Sequence, residues 1–142
     1  MVSGERVIQI TNYETLLMAA HQQSEPQRLL FVFTKNSLPD DHSVAEAARF
    51  EAGRGGGLEP VMCVDKPLDE LTNFADLVKE SEQMEKEWHM VLVACLFGKN
   101  GVMPTTEEAV KPLDMMVQNI QQGANLSGYM AFDAEGNPLQ FI

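Results

Sequence analysis

The chain alternates between short apolar runs, which are typical of strands, and amphipathic stretches, which are typical of helices. Residues 28–34, 60–65 and 88–97 contain the clearest apolar runs. A strand with one solvated face alternates between apolar and polar residues, whereas a strand covered on both faces is apolar throughout. Residues 29–33 read Leu-Leu-Phe-Val-Phe without interruption, so this strand is predicted to lie at the centre of a sheet between two helical layers.

Helix starts are marked by three motifs in which Ser or Thr precedes Glu by three residues. They begin at Thr11, Ser43 and Thr105. In such a capping box the hydroxyl accepts from the backbone N–H of the third residue, and the glutamate reaches back to the cap. Pro67 is predicted to open a further helix, because proline is favoured in a first turn. Pro112 is expected to kink the last helix or to mark its true start.

Two further regions complete the element order. Residues 6–11 are predicted to form a first strand, and residues 129–142 a closing hairpin. The order is then β-α-β-α-β-α-β-α-β-β, and strands joined through a crossover helix are expected to be parallel. We therefore predict an α/β fold for residues 1–142. It is a single three-layer domain whose mixed sheet has parallel central strands and a C-terminal antiparallel hairpin.

Size and cysteine content limit the class of protein. A chain of 142 residues with 44% hydrophobic residues is long enough to bury one core without disulfides or metals. Cys63 and Cys95 form neither a disulfide framework nor a Cys-x-x-Cys motif, which favours a cytoplasmic protein. The first residues lack the basic start and apolar stretch of a signal peptide. The longest apolar run, residues 90–97, is shorter than the ~18–20 residues that cross a bilayer, so no membrane partner is expected.

The chain is strongly acidic. Its formal net charge is −11 and its isoelectric point is near 4.5. Such a charge repels phosphate backbones and anionic lipid surfaces unless a basic patch opposes it. Nucleic acid is therefore not an expected partner.

A lysine follows each of the three most apolar runs, although the chain has only ten basic residues. Parallel strands would bring these lysines to one edge of the sheet, where open α/β folds bind ligands. The result would be a small positive pocket for an anionic ligand. The predicted ligand-binding residues are Lys35, Asn36, Asp65, Lys66, Lys99 and Asn100. The alternative is that they are ordinary residues of solvated loops.

Three other features have structural explanations that outweigh the functional ones. The glycines at residues 53–57 follow a helix instead of opening one, which favours a helix stop and a loop over a phosphate cradle. Asp40, Asp41 and His42 have the residue types of a metal or base site, but they precede a capping box and fit charge at a helix start. Cys63 and Cys95 lie in apolar runs and are predicted to pack in the core. No catalytic residue, metal or cofactor is therefore predicted.

Several segments resemble a family of short uncharacterised bacterial proteins that are often labelled automatically as "ribonucleotide reductase subunit alpha". They are residues 24–33, 38–41, 48–53, 60–66 and 132–136, and together the likeness extends over most of the chain. The resemblance implies a bacterial, cytoplasmic protein. The label itself does not fit, because that reductase subunit resembles a much longer barrel enzyme that needs a radical-forming cysteine and a cysteine pair. This chain has two cysteines in all, so no catalytic residue can be transferred.

The sequence favours a non-catalytic interaction or regulatory protein over an enzyme, because no acid–base, metal or nucleophile pattern outweighs its structural explanation. The expected partner is a second copy of the chain, in a homodimer, or another protein. The alternative function is binding of a small anionic metabolite, or an enzyme that uses the strand-end loops. A thiol-dependent redox protein would require a cysteine that reacts rapidly in the folded state.

Overall fold

A computed structural model describes residues 10–36, 58–126 and 128–139 of the chain. Its elements in order are α1 (Tyr13–His21), β1 (Gln27–Asn36), β2 (Leu58–Pro67), a 3-10 turn (Leu68–Glu70), α2 (Phe74–Glu82), β3 (Met90–Phe97), α3 (Thr106–Gln121), β4 (Met130–Asp133) and β5 (Pro138–Leu139).

The five strands form one sheet in the order β2-β1-β3-β4-β5, and every neighbouring pair is antiparallel. The prediction of a mixed sheet with parallel central strands is therefore wrong, and so is the predicted element order. β2 and β3 do run in the same direction, as a crossover through α2 requires. They do not pair with each other, because β1 lies between them and opposes both.

The start of the predicted order is also corrected. Ile10 and Thr11 are not in a strand, and residues 6–9 of the predicted first strand lie outside the described residues. The helix predicted from Ser43 lies outside them as well, as do the glycines at 53–57 and the Asp-Asp-His sequence at 40–42.

Helices cover both faces of the sheet. Phe31 and Phe33 of β1 contact the side chains of α1 and α2, whereas Leu30 and Val32 contact α3. Successive side chains of a strand point to opposite faces, so a strand between two helical surfaces must be apolar at every position. This explains the uninterrupted apolar run, which a central antiparallel strand needs as much as a parallel one.

Helix starts follow side-chain caps. The capping box predicted at Thr105 is confirmed, since its hydroxyl accepts from the Glu108 N–H at 3.1 Å. The box predicted at Thr11 is displaced by one residue, with Asn12 as the cap. Pro67 precedes the 3-10 turn, and α2 begins only after Asn73, whose side chain accepts from the Asp76 N–H. Pro112 lies inside α3 and does not mark its start.

Within the described residues, no helix combines the length and the apolar character that a membrane crossing requires.

Candidate functional site

The antiparallel sheet separates the six predicted ligand-binding residues into two groups. Lys35 and Asn36 end β1 and lie opposite Glu59 and Leu58, at the start of β2. Lys66 ends β2 and lies opposite Leu29. From Leu29 to Lys35 the strand advances six residues, which is about 20 Å. Asp65, Lys66, Lys99 and Asn100 share one end of the sheet, and Lys35 and Asn36 lie at the other.

Two of the three lysines have carboxylate partners. The Lys66 ammonium lies 2.6 Å from Glu80 on α2, and the Lys35 ammonium lies 3.8 Å from Glu59 on β2. Lys99 forms a backbone bridge to Val102 in the turn after β3. The single positive pocket expected from parallel strands is therefore not assembled, and a ligand-binding role for these residues stays a prediction.

The sixth predicted residue, Asn100, shapes that same turn. Its φ of +54° is left-handed, a conformation that asparagine tolerates better than most residues. The backbone N–H groups of Asn100 and Gly101 donate to the Glu25 carboxylate at 3.1 and 2.8 Å. These contacts fix the turn against the segment that precedes β1.

Asp65 takes part in a polar cluster at this end of the sheet. Its carboxylate accepts from Arg28 at 2.8 Å and from the Thr106 hydroxyl, and the Arg28 Nε donates to the Pro104 carbonyl at 2.7 Å. The Arg28 and Asp65 side chains are only 14% and 18% exposed. The cluster joins β1, β2 and the start of α3, which is a structural role.

The two cysteines lie on different strands and different faces. Cys63 on β2 is exposed, so the prediction that it packs in the core is wrong. Cys95 on β3 is half-buried against the α1 and α2 side of the sheet. Burial raises the pKa of both thiols, and the Asp114 carboxylate raises the pKa of Cys63 further. β1 separates the two strands, so these thiols do not face each other.

β3 is paired along its whole length on one side and along half of it on the other. Residues 90–97 pair with β1, but β4 pairs only with residues 90–93. No strand in the described ranges pairs with residues 94–97 on the β4 side. The Gly98 N–H donates to the Pro26 carbonyl, and by the alternation of an antiparallel ladder Cys95 and Phe97 direct their backbone groups away from β1. We call the side of residues 94–97 that pairs with no described strand the open half-edge.

Apolar side chains accompany the open half-edge. Phe97 is 52% exposed and Val102 in the following turn is 66% exposed. They border a shallow groove of about 200 Å³, which is lined by residues that include Leu96, Phe97, Lys99, Val102, Met103 and Glu108. An unpaired strand beside exposed apolar side chains is the usual setting for addition of a strand from another chain.

Reasoning from the sequence missed this surface, although a signal for it was present. The run at residues 90–97 contains no charged residue, while the apolar part of the closing hairpin is much shorter. A short strand beside a long one leaves part of the long strand unpaired. The mismatch becomes visible only when β3 and β4 are known to be neighbours, and no pattern in the sequence states that.

A scan against models of known protein families, a search of curated proteins and a search of solved structures each found no match for this chain.

Proposed function

We propose that this chain is a non-catalytic interaction protein that forms a homodimer through the open half-edge of β3. The proposal depends on one observation, which is that β4 pairs with residues 90–93 of β3 and, within the described part of the chain, not with residues 94–97. Unpaired backbone N–H and C=O groups at a strand edge are satisfied when a second strand pairs with them.

Antiparallel pairing lets this edge bind its own copy. Two identical strands that run in opposite directions are related by a two-fold axis, so each copy offers the same residues to the other. Residues 94–97 carry no charge, and like charges are therefore not placed opposite each other within the pair. The sheets of the two copies would then continue into one another.

Phe97 and Val102 provide the apolar contact that a backbone ladder alone lacks. Both lie at the end of the open half-edge, and both are more than half exposed in the single chain. Large aromatic side chains are over-represented among the interface residues that account for most of the affinity. Phe97 is therefore the residue whose replacement weakens the dimer most.

Sedimentation velocity of the full chain tests the proposal. We expect a species of twice the 15.8 kDa mass of one chain at micromolar concentration. Phe97→Asp is expected to weaken dimerisation by about a hundredfold, because it removes apolar contact and adds one carboxylate from each copy to an otherwise uncharged strand pair. Met115→Asp is the matched control, since Met115 on α3 is 55% exposed, close to the 52% of Phe97.

Two results would contradict this function. One is a wild-type chain that stays monomeric throughout the micromolar range. The other is a Phe97→Asp variant that dimerises as well as Met115→Asp, which would place the interface elsewhere on the molecule.

A further inference from the structure

The turn after β3 places an exposed asparagine directly before an exposed glycine. The sequence contains no other Asn-Gly pair than Asn100–Gly101. The φ values of these two residues are +54° and +78°, and positive φ at both central residues is typical of a type I′ turn. Two hydrogen bonds close the turn. The Val102 N–H donates to the Lys99 carbonyl at 2.9 Å, and the Lys99 N–H donates to the Val102 carbonyl at 3.2 Å.

An asparagine followed by glycine can react with its own backbone. The Gly101 nitrogen attacks the side-chain carbonyl carbon of Asn100, and the new C–N bond closes a succinimide ring. The side-chain nitrogen leaves as ammonia and takes the Gly101 proton with it. Water then opens the ring at either carbonyl, which gives aspartate or isoaspartate. Asparagine is a thermolabile residue, and a following glycine has no side chain to obstruct the attack.

The folded turn opposes this reaction. The Glu25 carboxylate accepts from the Gly101 N–H at 2.8 Å and from the Asn100 N–H at 3.1 Å. Hydrogen bonds to an ionised acceptor are stronger than those between neutral groups. The attacking nitrogen must also lose its proton, and a carboxylate beside it disfavours the negative charge that results. To reach the side-chain carbon, Asn100 must leave the turn conformation, which the hydrogen bonds between Lys99 and Val102 resist.

We propose that Asn100 is a site of spontaneous deamidation and that Glu25 sets its rate by holding the turn closed. Surface turns open locally without unfolding of the core, and the reaction proceeds only from the open turn. Its rate therefore follows the fraction of time that the turn is open. The proposal is independent of the proposed dimer, because it depends on contacts within a single chain.

Neither product restores the contact with Glu25. Isoaspartate adds one carbon to the main chain between the two N–H groups that bind this carboxylate, so their spacing changes. Aspartate adds a negative charge to a residue whose N–H binds Glu25, and the two carboxylates repel each other. The turn then opens, and Val102 loses the partner that fixes it. Deamidation of Asn100 is thus a slow and irreversible change in the structure of this turn.

Incubation of the full chain at neutral pH, followed by peptide mapping with mass spectrometry, tests the proposal. We expect the folded wild type to lose the Asn100 amide at least about tenfold more slowly than the chain unfolded in urea. Glu25→Ala should react about tenfold faster than the folded wild type, because it removes two charge-assisted hydrogen bonds. Glu82→Ala, at an exposed position at the end of α2, is the matched control and should not change the rate.

A second variant separates the charge of Glu25 from its hydrogen bonds. Glu25→Gln keeps an acceptor oxygen but removes the negative charge, so its rate should lie between those of the wild type and Glu25→Ala. Asn119, which precedes an isoleucine, is the internal reference in each digest and should stay intact. In the deamidated chain the Val102 amide should exchange with deuterium faster than in the fresh chain.

The proposal is overturned if the folded wild type deamidates at Asn100 as fast as the unfolded chain, because the turn would then give no protection. It is also overturned if Glu25→Ala reacts no faster than Glu82→Ala. Should Glu25→Ala fail to fold, Glu25→Gln decides the question, and a rate no higher than that of the wild type would refute the role of Glu25.

Discussion

The outer edge of β2 and the open half-edge of β3 are both unpaired by any strand in the described part of the chain, but they differ in chemistry. β2 carries Pro60 and Pro67, which lack an N–H, and the charged residues Glu59, Asp65 and Lys66. Residues 94–97 of β3 read Ala-Cys-Leu-Phe, with no proline and no charge. Proteins protect strand edges from association with prolines and charges. The comparison supports the proposed pairing through β3, because β2 carries residues that discourage association and residues 94–97 do not.

The two edges also differ in how they are held. The Arg28–Asp65 pair, with the Thr106 hydroxyl, fixes the end of β2 to β1 and α3. Residues 94–97, like β2, have β1 as their one described strand neighbour, but they carry no charged side chain that could form such a pair. The two edges are therefore expected to respond differently to mutation.

The largest effect is expected from Arg28→Ala, which breaks the attachment of β2. It leaves the Asp65 carboxylate, 18% exposed, without its cation, and we expect a loss of about 2–4 kcal/mol in the free energy of unfolding. Lys35→Ala is the control, because Lys35 lies on β1 like Arg28 and its ion pair with Glu59 is exposed. This pair should contribute less than about 0.5 kcal/mol. Urea denaturation measures both. Equal losses for the two variants would show that β2 is not held by this cluster.

The sequence predicts several of the strands and helices, but it does not predict how the strands are arranged in the sheet. The apolar runs mark β1, β2 and β3, and the capping box at Thr105 marks the start of α3, because burial and capping are local requirements. Strand direction is not local. The apolar run of β1 fits a strand between two helical layers whichever way its neighbours run, so it does not distinguish parallel from antiparallel pairing.

Strand direction also determines whether the predicted lysine site can form. Lys35, Lys66 and Lys99 each follow an apolar run, but β1 runs opposite to β2 and β3, so Lys35 lies at the other end of the sheet. The surface around Phe97 could not be found in the same way. Exposure of a large apolar residue at the end of a strand depends on which strand lies next to it, and the hydrophobic pattern does not encode that.

A smaller effect is expected in the alkylation rates of the two cysteines, since one lies on β2 and the other on the open half-edge of β3. Cys63 on β2 is exposed and Cys95 on β3 is half-buried, so iodoacetamide should modify Cys63 faster in the wild type. In Phe97→Asp, Cys95 should react about tenfold faster than in the wild type, because the second copy no longer covers it, and Cys63 should not change. Burial raises both thiol pKa values, so both rates should still be rising at pH 9.

Mass spectrometry of the modified peptides measures the modification rates of Cys63 and Cys95 separately. An equal rate at Cys95 in the wild type and in Phe97→Asp would show that this strand is not covered in solution. A faster rate at Cys63 in that variant would indicate that β2 takes part in the contact, contrary to its protective residues.

The smallest effect is expected from a change in salt concentration. Whether salt strengthens or weakens the dimer identifies the forces at the open half-edge. Each copy has a net charge of −11, and raising NaCl from about 0.1 M to about 1 M shortens the Debye length from ~10 Å to ~3 Å. Screening of this repulsion should strengthen an uncharged strand pair about twofold to fivefold. Lys99 and Glu108 also line the groove, and an interface built on ion pairs between them would instead weaken. Sedimentation equilibrium at the two salt concentrations therefore distinguishes apolar strand pairing from charge pairing at this edge.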